Sequence, residues 1–381
     1  MTLILLIILY LLYLRYSRVD FYKLRKKSLF LISFILIFIS GFRHEGVGND
    51  TYAYMMHFND VSYSWQEIIT QFIPHYMTPV NGAKDPGMDV FDKTMQIIGL
   101  TDRLYLIVVS AITICTIAVF LFNYAKNWQA LFLSYAFFVV ILFNYIPNSA
   151  LRQSLAVSCL LWAYIYLKKD NKRTFVILVL LGSTFHKSAL IALALLPLFL
   201  YVSHKNIIRY SIILFVLFLA LPSTIVLYLN GEGTLYSEYA TGGFYSQNSK
   251  PVMFILVIAI MYSLSLYLRK FNKDNQNESK LMLSGASLAF IFTPLIWADP
   301  SAIRLLAYFG LFLPILIGNN IFYKKKWRLI FAVLFIAFTI NAVKTEDNYH
   351  FMWQEMKLHD RYGYVQPHTR DNIDYYITYI V

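Results

Sequence analysis

Long apolar runs separated by short basic clusters dominate this 381-residue sequence. Many of the runs approach the roughly 20 residues that a helix needs to cross a lipid bilayer. Charged residues make up only 14% of the chain, whereas ordinary globular domains contain about a quarter. That is too little charge to cover a soluble core of this size. The sequence therefore predicts an all-α, polytopic membrane protein, a helical bundle built as a single domain over residues 1–381.

About twelve transmembrane helices are expected. The first run lacks a basic start and a small-residue cleavage site, so we interpret it as a retained helix and not as a signal peptide. Cys115 and Cys159 fall inside apolar runs and are interpreted as packing residues. The expected spans are 2–14, 28–42, 104–125, 129–147, 150–167, 174–185, 187–203, 206–229, 251–268, 281–297, 303–322 and 327–343.

Basic residues are concentrated in one set of loops, which carries 21 of the 33 Lys and Arg residues and only four of the 21 Asp and Glu residues. Cytoplasmic loops carry the excess of Lys and Arg, so we place this set in the cytoplasm and both termini outside. The net charge of +12 then faces anionic lipid, and no nucleic-acid partner is implied. The loops are 15–27, 126–128, 168–173, 203–209, 269–280 and 323–328.

Three polar segments remain for the outer side: a large, partly helical loop at 43–103, a second loop at 231–250 and a C-terminal tail at 344–381.

The stretch 174–203 forms either one long helix or two short ones. Two short helices keep every later basic loop in the cytoplasm, so we prefer two helices to one. The first would be only about 18 Å long, against a hydrocarbon core of about 30 Å. The turn at His186 should then lie below the membrane surface, inside protein or a water-filled cavity.

Ionisable residues near the ends of apolar runs are the candidates for chemistry. Arg43, Arg152 and Arg304 stand at outer ends, and guanidinium groups bind phosphate bidentately and keep their charge. The three together indicate an anionic ligand. Simpler alternatives stay open for each residue: an Arg43–Asp50 pair that only folds its loop, a snorkelling Arg152, a packing hydrogen bond at His186, and an interfacial anchor at Arg304.

Several functions lack support because their motifs are missing. The sequence contains neither Asp-x-Asp nor Glu-x-Asp, so a metal-clamped diphosphate is not indicated. It also lacks a P-loop, a His-Glu-x-x-His and a Gly-x-Ser-x-Gly motif. ATP hydrolysis, zinc proteolysis and serine-hydrolase chemistry are therefore disfavoured. We expect neither a metal site nor a cofactor.

Five short motifs follow one another between residues 41 and 309 and together resemble one family. They are Gly41-Phe42-Arg43 with Val47-Gly48-Asn49-Asp50-Thr51 and Tyr54; Asp85-Pro86-Gly87-Met88; Arg152-Gln153-Ser154-Leu155-Ala156; Thr184-Phe185-His186-Lys187-Ser188-Ala189-Leu190; and Arg304-Leu305-Leu306-Ala307-Tyr308-Phe309. In this order they resemble the EpsG family of polysaccharide polymerases, relatives of the Wzy O-antigen polymerases. Met88 stands where that family usually has an aromatic residue.

The resemblance implies a multi-pass glycosyltransferase of the GT-C-like class in the bacterial cytoplasmic membrane. Such an enzyme joins oligosaccharide repeat units carried on undecaprenyl diphosphate, which serve as donor and acceptor, at the outer face. The product would be O-antigen, capsule or exopolysaccharide. A flippase and a chain-length regulator of the same pathway would be its partners, besides the lipid bilayer.

The expected mechanism needs charge stabilisation and a proton acceptor. Arg152 and Arg304 would stabilise the leaving diphosphate without a metal, and His186 or Asp50 would take the proton of the acceptor hydroxyl. The residues expected to bind substrate are Arg43, Tyr54, Gln153, Asp85 and Lys187. Two alternatives are a flippase for the same lipid-linked sugar, which would be expected to show inverted repeats, and a ligase with the same arginine chemistry.

Overall fold

The computed structural model describes residues 1–48, 50–60, 63–77, 85–225, 251–269, 276–298, 302–321, 327–344 and 349–354. These residues are almost entirely helical and contain no β-strand, and one isolated bridge pairs Arg43 with Phe351. The prediction of an all-α protein is therefore confirmed for this part of the chain. The predicted loop 231–250 and most of the predicted tail 344–381 lie outside the described residues.

The helices follow the apolar runs closely. Each of the twelve predicted spans overlaps helical structure among the residues described, although some include turns, such as 143–147 and 310–311. In chain order the helices are α1 Thr2–Tyr16, α2 Phe21–Gly41, α3 Thr51–Asp60, α4 Trp65–Met77, α5 Pro86–Ile97, α6 Asp102–Tyr124, α7 Trp128–Phe137, α8 Leu151–Lys168, α9 Lys172–Phe185, α10 Leu195–Tyr201, α11 His204–Ala220, α12 Val252–Arg269, α13 Gln276–Phe292, α14 Ile303–Phe309, α15 Phe312–Ile321 and α16 Trp327–Lys344.

Polar side chains set the starts of several helices, because an N-cap oxygen satisfies a backbone N–H that has no partner within the helix. The Thr101 hydroxyl accepts from Leu104 N at the start of α6. The same role falls to Asp20, Asn127, Asn171 and Ser203 before α2, α7, α9 and α11. Two helices continue in altered form: α7 runs into a π-helical turn at Phe138–Leu142, and α13 into a 3₁₀ turn at Thr293–Trp297.

Within the part of the chain that the structure describes, three helical segments are long and apolar enough to cross a membrane by themselves: Asp102–Tyr124, Val252–Arg269 and Glu278–Trp297. The pair α14 and α15, bent by 44°, makes a fourth if it counts as one span. Other apolar helices, such as α1, are shorter. The expected number of about twelve crossings stays a prediction.

The outer surface of the bundle carries apolar stripes at helical spacing. Met253, Leu256 and Ile260 on α12 are 73%, 49% and 59% exposed, and similar stripes run along α1, α2 and α16. Soluble proteins rarely expose such continuous apolar patches. The interior carries small polar contacts, such as the 2.8 Å bond between the hydroxyls of Ser40 and Ser110. Such contacts are typical of helices that pack within a membrane.

Three of the basic loops meet at one end of the bundle. Lys126 and Lys168 both pair with Glu278, at 3.7 and 3.1 Å. At the same end, Lys280 Nζ donates to the carbonyl oxygen of Leu200 at the end of α10. Because α9 begins beside Lys168 and α10 finishes at this end, the chain must turn back between them. The structure therefore agrees with two segments over 174–203 and not with one continuous helix.

The turn lies where the sequence predicts it. Helix α9 ends at Phe185, and His186 takes an extended conformation with φ −155° and ψ 110°. A 3₁₀ segment, Lys187–Ala194, then leads into α10. The turn at His186 lies at the end of the bundle opposite the basic loops. The segment 43–103 folds over this end as helices α3, α4 and α5, so the prediction that this segment is partly helical is confirmed.

Candidate functional site

Arg152 is the second residue of α8 and bonds to two groups from the loop 43–103. Its Nε donates to the Tyr54 hydroxyl at 3.1 Å, and its Nη1 donates to Asp85 Oδ2 at 2.7 Å. These bonds use two of the five N–H donors of the guanidinium, and its side chain is 26% exposed. Partial burial raises the pKa of Tyr54, so its own O–H proton is kept. The arginine is thus held in place with donors left for a ligand.

Asp85 reaches Arg152 because α5 packs tightly against the end of α9. Asp85 precedes Pro86 at the start of α5, and a Cβ atom on Gly87 would lie 2.3 Å from Thr184 Oγ1 and 2.9 Å from the Thr184 carbonyl carbon. Only glycine permits this approach. The Asp-Pro-Gly motif therefore docks onto the residues that lead into His186.

We expect Gly87→Ala to destabilise the protein by about 1–3 kcal/mol, the usual cost of overpacking a close contact. Part of the clash is with backbone, so α5 must shift and carry Asp85 away from Arg152. A lower Tm in detergent measures the effect. Gly99→Asn is the matched control, since Gly99 follows the other end of α5 in open space with a left-handed φ of 81°, which asparagine tolerates. Equal Tm values for both variants would contradict the tight packing.

Arg304, on α14, approaches the same region from the far part of the chain. Its Nε donates to the Tyr145 hydroxyl at 2.8 Å. Gln153, the neighbour of Arg152, donates from Nε2 to the Arg304 carbonyl oxygen at 2.9 Å. Gln153 is 1% exposed, and its Oε1 has no hydrogen-bond partner among the described residues. Gln153 therefore ties the start of α8 to α14 and brings Arg152 and Arg304 together. These two arginines and the side chains that bond to them are called the arginine region below.

His186 forms a small network with two hydroxyl groups. The Ser188 hydroxyl lies 2.7 Å from His186 Nδ1 and 2.9 Å from the Tyr308 hydroxyl, and the Tyr308 hydroxyl lies 3.3 Å from the same ring nitrogen. Tyr308 also interacts electrostatically with Arg304 and Asp85. The imidazole and the two hydroxyls thus border the arginine region.

Asp50 lies in the same region, just before α3. Its charge interacts with Arg152, Tyr54 and Tyr145, and its carbonyl oxygen accepts from Tyr54 N at 3.0 Å. Asp50 and Asp85 therefore place two carboxylates among the arginines. Such carboxylates pair with guanidinium groups and hold them in position.

Arg43 does not reach this region with its side chain. It is fully buried, and its guanidinium donates to the Ser40 carbonyl oxygen and to the Thr51 hydroxyl. Burial lowers the pKa of Arg43 to about 10, which still leaves it charged at neutral pH. The sequence predicts that Arg43 orients Asp50 or binds the acceptor sugar. No part of its side chain faces solvent in this conformation, which agrees better with the first role, and the sugar contact stays a prediction.

Arg43 instead helps to seat the loop that carries Asp50 and Tyr54. The Thr51 hydroxyl lies 2.7 Å from the Asn148 carbonyl oxygen. Gly48 adopts a φ of 92°, and a Cβ there would lie 1.6 Å from the same oxygen. The first motif is thereby fixed onto the residues that precede α8.

Lys187 lies at the rim, away from the arginines. Its Nζ donates to the Tyr76 carbonyl oxygen at the end of α4, 3.1 Å away, and the Tyr76 hydroxyl bonds to Ser183 at 2.8 Å. Lys187 therefore fastens α4 against the turn at His186. Its side chain is exposed, and the predicted substrate contact stays a prediction.

The five sequence motifs meet in space. Tyr54 and Asp85 bond to Arg152, Gly87 contacts Thr184, Gln153 bonds to Arg304, and Ser188 bonds to Tyr308. Tyr145, Ser188 and Tyr308 were not predicted as site residues. The last two belong to the fourth and fifth motifs, so their motif membership is a signal that could have found them. Tyr145 has no such signal.

Comparison with known proteins supplies one match. The model of the EpsG family matches residues 26–352, which includes all five motifs. Neither the curated proteins nor the solved structures include a match. Since the family match covers most of the 381 residues and the motif residues gather at one end of the bundle, this chain belongs to the EpsG family.

Proposed function

We propose that this protein is a polysaccharide polymerase, a glycosyltransferase that joins oligosaccharide repeat units carried on a polyprenyl diphosphate. The observation that carries the proposal is the meeting of Arg152 and Arg304 through Gln153, together with the hydroxyls of Tyr54 and Tyr145. Guanidinium and hydroxyl donors in this arrangement suit a diphosphate. Family membership supports the same reaction class.

The arginines act on the leaving group. The glycan leaves its lipid diphosphate when a hydroxyl of the incoming repeat unit attacks the anomeric carbon. Negative charge grows on the diphosphate as that bond breaks, and fixed donors that face the growing charge lower the barrier. Arg152 and Arg304 supply the opposing positive charge without a metal. The Ser188 hydroxyl, held by His186 and the buried Tyr308, borders the arginine region and supplies a further donor for phosphate oxygens.

The membrane supplies both substrates. In this proposal the helices cross the cytoplasmic membrane about twelve times in a GT-C-like arrangement, with α3, α4 and α5 on the outer side and the basic loops in the cytoplasm. Exposed apolar side chains on α9, such as Ile177, Leu180 and Leu181, offer a path for a polyprenyl tail beside the site. The lipid remains in the bilayer while its diphosphate meets the arginines.

The acceptor hydroxyl must lose a proton, and the sequence offers Asp50 or His186 for this role. His186 Nδ1 is already engaged by the hydroxyls of Ser188 and Tyr308. Asp50 interacts with Arg152 and thereby helps to hold that guanidinium in place. Asp50 and His186 both stay predicted candidates for the base.

Purified protein incubated with lipid-linked repeat units tests the proposal directly. We expect a ladder of products that grows by whole repeat units and the release of polyprenyl diphosphate. Full activity after exhaustive chelation agrees with a metal-free clamp, whereas a strict requirement for a divalent ion contradicts it. In cells that lack the protein, single repeat units on the final acceptor indicate a missing polymerase, and units trapped inside indicate a missing flippase.

A further inference from the structure

A second polar cluster lies beside the arginine region and belongs to no sequence motif. His57 of α3 places Nδ1 3.1 Å from Asp92 Oδ2, and its Nε2 lies 3.8 Å from Asp89 Oδ1. Asp89 and Asp92 both belong to α5. The cluster therefore bridges two of the three helices that cover this end of the bundle.

Helical spacing relates this cluster to Arg152. Tyr54 and His57 stand three positions apart on α3, and Asp85, Asp89 and Asp92 are separated by four and three positions along α5. Residues three and four apart share one face of a helix. Tyr54 and Asp85 bond to Arg152. The cluster lies further along the same helices, with His57 about 4.5 Å beyond Tyr54 on α3, and Asp89 and Asp92 about 6 and 10.5 Å beyond Asp85 on α5. His57 also interacts electrostatically with Arg152.

The two ring nitrogens of His57 have different surroundings. The Asp92 side chain is fully buried, whereas that of His57 is 46% exposed. Asp92 Oδ2 fixes Nδ1, and Nε2 lies beyond hydrogen-bond distance of Asp89. Asp92 Oδ1 is buried without a hydrogen-bond partner in the described part of the chain. Asp92 Oδ2 thus orients the imidazole, while the Tyr105 hydroxyl also interacts with this carboxylate. Nε2 of the half-exposed His57 ring is left to meet a substrate.

We propose that His57, oriented by Asp92, is the catalytic residue that takes the proton of the acceptor hydroxyl. This inference rests on the proposed polymerase function. The acceptor oxygen forms the new bond to the anomeric carbon, and the bond from that carbon to the diphosphate oxygen breaks with its electron pair. The proton of the hydroxyl passes to His57 Nε2, and Asp92 stabilises the imidazolium. The exposed ring then returns the proton to water.

The geometry favours a proton acceptor over other uses of these side chains. His, Cys, Asp and Glu residues form no group of three suited to a metal ion within the described residues. A purely structural pair would gain from burying the ring, whereas this ring is half exposed. His57 interacts electrostatically with Arg152, so a base at this position lies near the leaving-group arginine, and its half-exposed ring leaves room for an acceptor sugar.

The charges around His57 set its pH dependence. Its hydrogen bond to Asp92 raises the pKa of His57, and the charge of Asp89 acts in the same direction, while partial burial and the charge of Arg152 oppose the rise. His75 of α4 faces Asp89, and Tyr105 of α6 faces Asp92. A base must be neutral, so the rate falls as the pH drops through this raised pKa. Without the Asp92 charge the pKa falls, and the acid limb moves to lower pH.

Rates of chain extension by the purified full-length protein test the inference. We expect His57→Ala to slow extension by about 10² to 10⁴-fold, the usual contribution of a general base, and added imidazole to restore part of the rate. Asp92→Asn should be slower and should shift the acid limb of the pH profile downward. His75→Ala is the matched control, because it removes a neighbouring histidine that is not bonded to Asp92, and its rate should match the parent.

The outcomes separate this inference from the function on which it rests. If the parent protein extends lipid-linked units and His57→Ala extends them equally fast, His57 is not the base while the polymerase function stands. A slow His57→Ala variant with no imidazole rescue, and an Asp92→Asn variant with an unshifted acid limb, would show a structural role and also overturn the inference. A parent protein with no transfer activity would overturn both proposals.

Discussion

Replacing Arg152 with alanine is expected to slow chain extension by about 10² to 10³-fold, the loss that follows removal of one donor facing the transition-state charge. Arg152→Lys should also lose most activity. A lysine ammonium is a point charge and cannot hold Tyr54 and Asp85 in the planar arrangement of the guanidinium. Initial rates of extension with purified protein and lipid-linked repeat units measure both variants.

Removal of Arg152 also takes from Asp85, 7% exposed, the guanidinium to which it bonds, and this can destabilise the site by itself. The double variant Arg152→Ala with Asp85→Ala separates the two causes. If the lost guanidinium is responsible, the double variant stays inactive although its Tm recovers. Recovery of activity would mean that the remaining Asp85 carboxylate caused the loss. Arg173→Ala, an exposed arginine near the opposite end of the bundle, serves as the charge control.

Much of the fold could be predicted because a membrane requires long apolar helices, which are visible as apolar runs in the sequence. Every backbone polar group in a bilayer must bond within its own helix, so apolar runs become helices with little ambiguity. The break at His186 was predictable from charge, since a single helix over 174–203 would have placed later basic loops on the wrong side. Prediction of the bend between α14 and α15 was not possible in this way, because both halves are equally apolar.

The candidate site could be predicted only where a motif carried it. Arg152, His186 and Arg304 occupy motif positions at helix ends, and the structure brings them into one region through Gln153, Ser188 and Tyr308. Arg43 also occupies a motif position, but its full burial depends on packing against Ser40 and Thr51. A motif therefore identifies a residue without revealing whether it faces the ligand or supports the loop.

His57 and Asp92 were missed for a physical reason. They lie 35 positions apart, on two helices whose mutual contact no sequence period reveals. Their spacings from Tyr54 and from Asp85 match one face of a helix, but that match becomes informative only once α3 and α5 are known to lie side by side. Juxtaposition of elements depends on tertiary packing, as in the approach of Gly87 to Thr184.

Arg304→Ala is expected to produce a loss comparable to that of Arg152→Ala, about 10² to 10³-fold. Its Nε bond to the Tyr145 hydroxyl allows a milder test of positioning. Tyr145→Phe removes that hydroxyl alone and should cost less than Arg304→Ala, because the guanidinium remains. Near-normal activity in both Arg152→Ala and Arg304→Ala would defeat the diphosphate clamp.

The double variant Arg152→Ala with Arg304→Ala tests whether the two arginines act together. Groups that hold one ligand lose their effects non-additively, because the first removal already disrupts the shared hold. We therefore expect the double variant to be much faster than the product of the two single losses predicts. A loss equal to that product would mean that the arginines contact separate parts of the substrate. The shared clamp would then be wrong, although each arginine would still serve the reaction.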